Sequence, residues 1–178
     1  ETTPKETPCR LLEVGCGSGV YLKKACESNP GLTAVGIEMQ DSIARIARAA
    51  INKWNLGDRV SIINTDIRRY DPAEPFDALT VHNLIYYFKE KERTCFLAGL
   101  RRLLKPGGKI VLSSLCKDPM PSIQAMNLWA SMTAGGGPLP EADDLGRLLR
   151  EAGYTNPKFR EVIPAFWCAE AYNAHANC

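Results

Sequence analysis

The chain has 178 residues, enough for one domain with a substantial buried core. Apolar residues make up 45% and charged residues 24%, close to the average for soluble globular proteins. A net charge of +2, from 22 basic and 20 acidic residues, provides no electrostatic grip on nucleic acid or an anionic membrane. The pairs Arg68-Arg69 and Arg101-Arg102 read as solvated faces. No apolar stretch approaches the roughly 18–20 residues needed to cross a bilayer. Residues 1–8 are a polar, Pro-rich tail without an initiator Met, so they are no signal peptide; processing, or excision from a longer chain, is expected. Seven cysteines, with no Cys-x-x-Cys pair, indicate neither a disulfide framework nor a zinc or other metal site. Scattered single cysteines predict a reducing compartment, the cytoplasm by default.

The predicted elements alternate. Arg10–Val14 is a short apolar run that ends in glycines and reads as a buried strand. Gly19–Ser28 reads as helix, stopped by Asn29-Pro30-Gly31, and Thr33–Ile37 as a second strand. Asp41 is a good N-cap, followed at helical spacing by Ile43, Ile46, Ala47, Ala50 and Trp54. Val60–Ile63 and Phe76–Val81 are predicted strands three and four. Lys89–Leu104 reads as a helix with Phe96, Leu97, Leu100, Leu103 and Leu104 on one side. The turn Pro106-Gly107-Gly108 then enters strand five, Lys109–Ser114. This alternation predicts a doubly wound α/β fold with its ligand crevice at the carboxyl ends of the strands. The last third changes character. Met120–Met132 reads as helix, Gly135–Pro140 as loop, and Glu141–Ala152 as helix closed by Gly153. The strand-like stretches Lys158–Ile163 and Phe166–Tyr172 are too close for a crossover, so they must pair antiparallel.

Three features converge on a nucleoside cofactor. The loop Glu13-Val14-Gly15-Cys16-Gly17-Ser18-Gly19 lets backbone turn tightly and lets a ligand lie against it; a structural turn is the plainer alternative. Glu38 lies 21 residues beyond Gly17, near the spacing at which a carboxylate accepts from both ribose hydroxyls. Asp66 follows strand three, where it accepts from an adenine amino group or merely caps a turn. Ile67 and Met39 are placed to cover the two faces of the base.

Taken together, Leu11–Ser114 resembles the class I S-adenosylmethionine-dependent methyltransferase family. The matching motifs are Glu13–Gly19, Glu38, Asp66, Phe76–Asn83 and Leu104–Gly108. The resemblance implies a mostly parallel seven-stranded sheet with an antiparallel C-terminal hairpin, as one S-adenosylmethionine-binding domain over 1–178. Family members usually place helices before the first strand. The resemblance therefore implies a missing N-terminal lid or dimerisation region, and a homodimer or other association through it. Within the family, His82–Phe88 and Gly135–Tyr154 look most like small-molecule O-methyltransferases, with Tyr86-Tyr87-Phe88 standing where a His-Asp-Trp step carries the usual base. An adenine-base acceptor in nucleic acid is not expected, because Asn83-Leu84-Ile85-Tyr86 lacks the prolines of that class.

The resemblance implies in-line transfer of a sulfonium methyl group to a small-molecule acceptor, at oxygen, for which the protein supplies alignment and excludes water. Tyr21, Tyr86 and Tyr87 are the aromatic candidates for the sulfonium charge. His82 and Tyr86 are the candidates for catalysis, His82 with Asn83 serving alternatively the cofactor's amino-acid end; His175 is discounted as a tail residue. Two rivals remain. A nicotinamide oxidoreductase needs Gly-x-Gly-x-x-Gly, whereas Val20 stands three residues after Gly17. A catalytically inactive S-adenosylmethionine-binding module needs only the pocket.

Overall fold

The structure, a computed structural model, describes residues 8–174. Most of the expected tail at 1–8, and His175, lie outside the described residues. In chain order the elements are β1 (Cys9–Val14), α1 (Val20–Ser28), β2 (Leu32–Glu38), α2 (Asp41–Lys53), β3 (Val60–Asn64) and β4 (Phe76–His82). There follow α3 (Glu90–Leu100), β5 (Leu104–Leu115), α4 (Pro121–Met132), α5 (Ala142–Glu151), β6 (Tyr154–Ile163) and β7 (Phe166–Asn173). The strands hydrogen-bond in the order β3-β2-β1-β4-β5-β7-β6, the α/β seven-stranded sheet expected from the sequence. Among the described residues no helix is long and apolar enough to cross a membrane.

Among the described residues the chain forms two compact units, one up to Thr80 and one from Val81. In the first, β1 pairs parallel with β2, and β2 parallel with β3, so all three carboxyl ends share one edge. Leu11, Leu22, Ile51, Val60 and Ile62 pack its core together with Ala44 and Ala47 of α2. The second unit closes as predicted: β7 pairs antiparallel with both β5 and β6. Tyr86, Ile123, Ala130, Leu139 and Ala165 form an apolar cluster there.

Three sequence expectations are corrected. The α2 N-cap is Gln40, and Asp41 is the first helical residue. Its buried face is Ala44, Ala47 and Ile51, at i, i+3 and i+7, while Ile46 falls off that stripe and is exposed. Finally, α3 stops at Leu100; Arg101–Leu103 tighten into a 3-10 turn, and Leu104 already belongs to β5. The Pro106-Gly107-Gly108 turn is thus inside β5, bent where Gly107 takes a φ of 75°. Gly153 does close α5, at a φ of 88°.

Candidate active site

The glycine loop joins β1 to α1 at the carboxyl edge of the first unit. Gly15 and Cys16 both donate their N–H to the Ile37 carbonyl, at 2.8 and 3.0 Å, which ties the loop to the end of β2. Gly15, Gly17 and Gly19 have φ values of 70°, 53° and 78°, in the left-handed region that side chains disfavour. A Cβ on Gly17 would meet nothing within 4 Å, so the loop is open at that point.

Glu38 ends β2 as expected. Its Oε2 accepts from the Gly17 N–H at 3.1 Å and its Oε1 from the Gln40 N–H at 2.9 Å. Each oxygen keeps a further lone pair, so the carboxylate is held in orientation yet still accepts two hydroxyls. Asn64, at the end of β3, braces this corner by donating to the carbonyls of Glu38 and Met39, at 2.8 and 3.0 Å. The sequence carried no signal for Asn64, since its role depends on parallel register.

Asp66 caps the 3-10 turn Ile67–Arg69 by accepting from the Arg68 N–H at 2.9 Å. The Arg68 guanidinium also pairs with it and holds its pKa below the usual carboxylate range. Arg68 contacts both oxygens through its N–H, Nε and Nη2, so an adenine amino group would reach Asp66 by displacing the exposed Arg68 guanidinium. Met39 is 64% exposed, Tyr21 41%, and Ile67 is half-buried, so all three side chains are open to solvent.

Glu13 is the unexpected feature. It is 1% exposed, and neither carboxylate oxygen has a hydrogen-bond partner among the described residues. Burial pushes its pKa up to about 8. Both oxygens are closed to solvent, so a cationic amine would satisfy this orphaned carboxyl once the glycine loop admits it. With Glu38 for a ribose and Asp66 for a base, the residues present fit a nucleoside joined to an amino acid. Among the described residues no cluster fits a metal ion.

In the second unit, β4 ends at His82. Its Nδ1 lies 2.6 Å from the Ser113 Oγ, and burial pushes its pKa down to about 4, so the imidazole is neutral. Asn83 takes a φ of 49° and ties β4 to β5, donating to the Ser113 carbonyl and accepting from the Leu115 N–H. Tyr86 is buried in the apolar cluster, and its carbonyl accepts from the Gly137 N–H at 3.0 Å. Tyr87 is 44% exposed, edge-on to Trp129. Buried Arg93, which the sequence did not single out, donates to the carbonyls of Phe88 and Pro138 and so fastens this segment to the Gly-rich loop.

Sheet order, glycine loop and the carboxylates after β2 and β3 define a nucleotide-binding α/β protein of the methyltransferase fold. The chain belongs to the methyltransferase domain family, whose model matches residues 11–108, and S-adenosylmethionine is the family's cofactor. It is similar to the S-adenosyl-L-methionine-dependent Diels-Alderase iccD of Talaromyces variabilis, 30% identical over 86% of this chain and 55% of that protein. It is also similar to the ubiquinone biosynthesis O-methyltransferase of Nitrosospira multiformis, 24% identical over 80% of this chain and 61% of the other. Among solved structures, an O-methyltransferase family protein from Burkholderia thailandensis superposes with a TM-score of 0.81 at 20% identity, covering 95% of this chain and 52% of that one. The chain thus spans little more than half the length of these relatives.

Proposed function

We propose that the chain acts in methyl transfer from S-adenosylmethionine to an oxygen of a small-molecule acceptor. The observation that carries this reading is the corner formed by Gly17, Glu38 and orphaned Glu13, which suits ribose hydroxyls and an amine. The donor, when bound, supplies an electrophilic sulfonium methyl. In this reading Gly15, Cys16, Gly17, Ser18 and Gly19 cradle it, and Glu13 meets its amine. Glu38 takes the ribose, and Asp66 takes the adenine amino group between Met39 and Ile67. Tyr21, Tyr87, His82 and Asn83 complete the binding set, with His82 and Tyr86 assigned to the chemistry. The whole of 1–178 serves as one donor-binding domain. A cytoplasmic location agrees with the six free cysteines among the described residues. A homodimer is part of the same reading, supported by Leu128, Trp129 and Met132, which α4 leaves 61%, 48% and 77% exposed.

The test is native mass spectrometry of the purified protein, followed by calorimetric titration with S-adenosylhomocysteine and with NADH. Bound S-adenosyl nucleoside and a heat signal for S-adenosylhomocysteine alone are expected; binding of NADH instead would refute the reading. A second reading, a domain that binds the donor without transferring its methyl, is favoured by the burial of Tyr86 where a base is usual. It also agrees with the Diels-Alderase among the relatives. Labelled methyl from S-adenosylmethionine appearing in any member of a panel of phenols and carboxylic acids eliminates it.

A further inference from the structure

We infer that Ser113 is a positioning residue whose hydroxyl donates to His82 Nδ1 and holds His82 as the Nε2–H tautomer, a neutral hydrogen-bond donor and not a proton acceptor. Ser113 is 3% exposed on β5, its backbone fixed opposite Cys168 of β7 and under the Asn83 N–H. Its Oγ lies 2.6 Å from His82 Nδ1 and forms no other hydrogen bond among the described residues. The neighbouring Ser114 hydroxyl, by the alternation of the strand, turns elsewhere and donates to the Leu115 carbonyl.

The proton count follows. If Nδ1 carried the imidazole proton and donated to Ser113, the serine hydroxyl proton would be buried with no acceptor. If the hydroxyl donates instead, both groups are satisfied and the ring proton resides on Nε2. His82 then carries its one ring proton on Nε2. In that state Nε2 cannot take a proton from an acceptor oxygen.

This rests on the methyl-transfer reading for its consequence, which concerns the acceptor. With His82 unable to act as a base and Tyr86 in an apolar cluster, an alcohol would find no proton acceptor in either assigned residue. An oxygen acid that arrives already ionised at neutral pH, as carboxylates and acidic phenols do, needs none.

The tautomer is directly measurable in the protein labelled with 15N-histidine, by long-range proton–nitrogen correlation at pH 7. The chain has two histidines, so His82→Gln assigns the signals. Expected are a protonated Nε2 and an unprotonated Nδ1 for His82. In Ser113→Ala, checked for folding by its amide spectrum, the signals should move towards a tautomer mixture, and Ser113→Thr should restore them. A wild-type His82 protonated at Nδ1 overturns the inference, as does a folded Ser113→Ala with an unchanged tautomer. No turnover is involved, so its failure is separable from failure of the methyl-transfer reading, which donor binding and label transfer decide.

Discussion

At the scale of single residues, the donor corner depends on a carboxylate already held in place. Glu38 accepts from Gly17 and Gln40 before any ligand arrives, so its orientation costs nothing further on binding. Hydrogen bonds to a charged acceptor contribute about 1.5–3 kcal/mol each. Glu38→Ala, losing two to a ribose, should weaken S-adenosylhomocysteine binding at least about 100-fold by calorimetry. A loss under about threefold, with circular dichroism unchanged, would remove Glu38 from the site. Glu38 was legible because its spacing from the glycines is a property of sequence. The state of Glu13 was not. The sequence names its carboxyl, but only packing of β1 beneath α1 strips that carboxyl of water and partners. Tyr86 is a similar case: a phenol in a motif says nothing of whether it faces ligand or core, and Ile123, Ala130, Leu139 and Ala165 decide for the core.

At the scale of elements, alternating strands and helices were readable from hydrophobic period, and so was the antiparallel closing pair, since two residues cannot make a crossover. Helix ends were less so. Leu100, Leu103 and Leu104 have helical spacing, yet the 3-10 turn at Arg101–Leu103 redirects the chain, and Leu104 is equally apolar as a strand residue. Gly36, in the middle of β2, carried no sequence signal at all. A Cβ there would lie 2.8 Å from the Cys16 Sγ, the Ile62 Cδ1 and the Leu22 Cδ1. The absent side chain is what lets the glycine loop and the first turn of α1 press onto the sheet. Gly36→Ala should therefore act as overpacking, destabilising by about 1–3 kcal/mol in urea unfolding. It should also loosen donor binding, because Cys16 must move and the loop with it. An unchanged urea midpoint would show that the three neighbours yield freely and that β2 does not set the height of the loop.

At the scale of the whole molecule, the same buried carboxyl couples stability to pH, and the sign can be worked out. Folding raises the pKa of Glu13 from 4.5 to about 8, so between those values the folded chain keeps a proton that the unfolded chain releases. Stability falls wherever the folded state binds more protons and pH rises. The contribution is therefore complete below about 4.5 and is lost as pH climbs through 8. His82 runs the other way: its folded pKa of about 4, below the usual 6.5, makes stability rise with pH up to 6.5 and not beyond. The buried thiols of Cys16 and Cys116, pushed from 9 up to about 12, act only above pH 9. A window from pH 6.5 to 8 thus isolates Glu13. At about 1.4 kcal/mol per pH unit, the unliganded protein should lose about 2 kcal/mol across it. Urea unfolding at the two pH values reads this difference directly. Glu13→Gln keeps the shape without the titration and should abolish most of that loss. Equal losses in the two proteins would mean that the carboxyl finds a partner in solution, and with it would go the argument that Glu13 waits for a cationic amine.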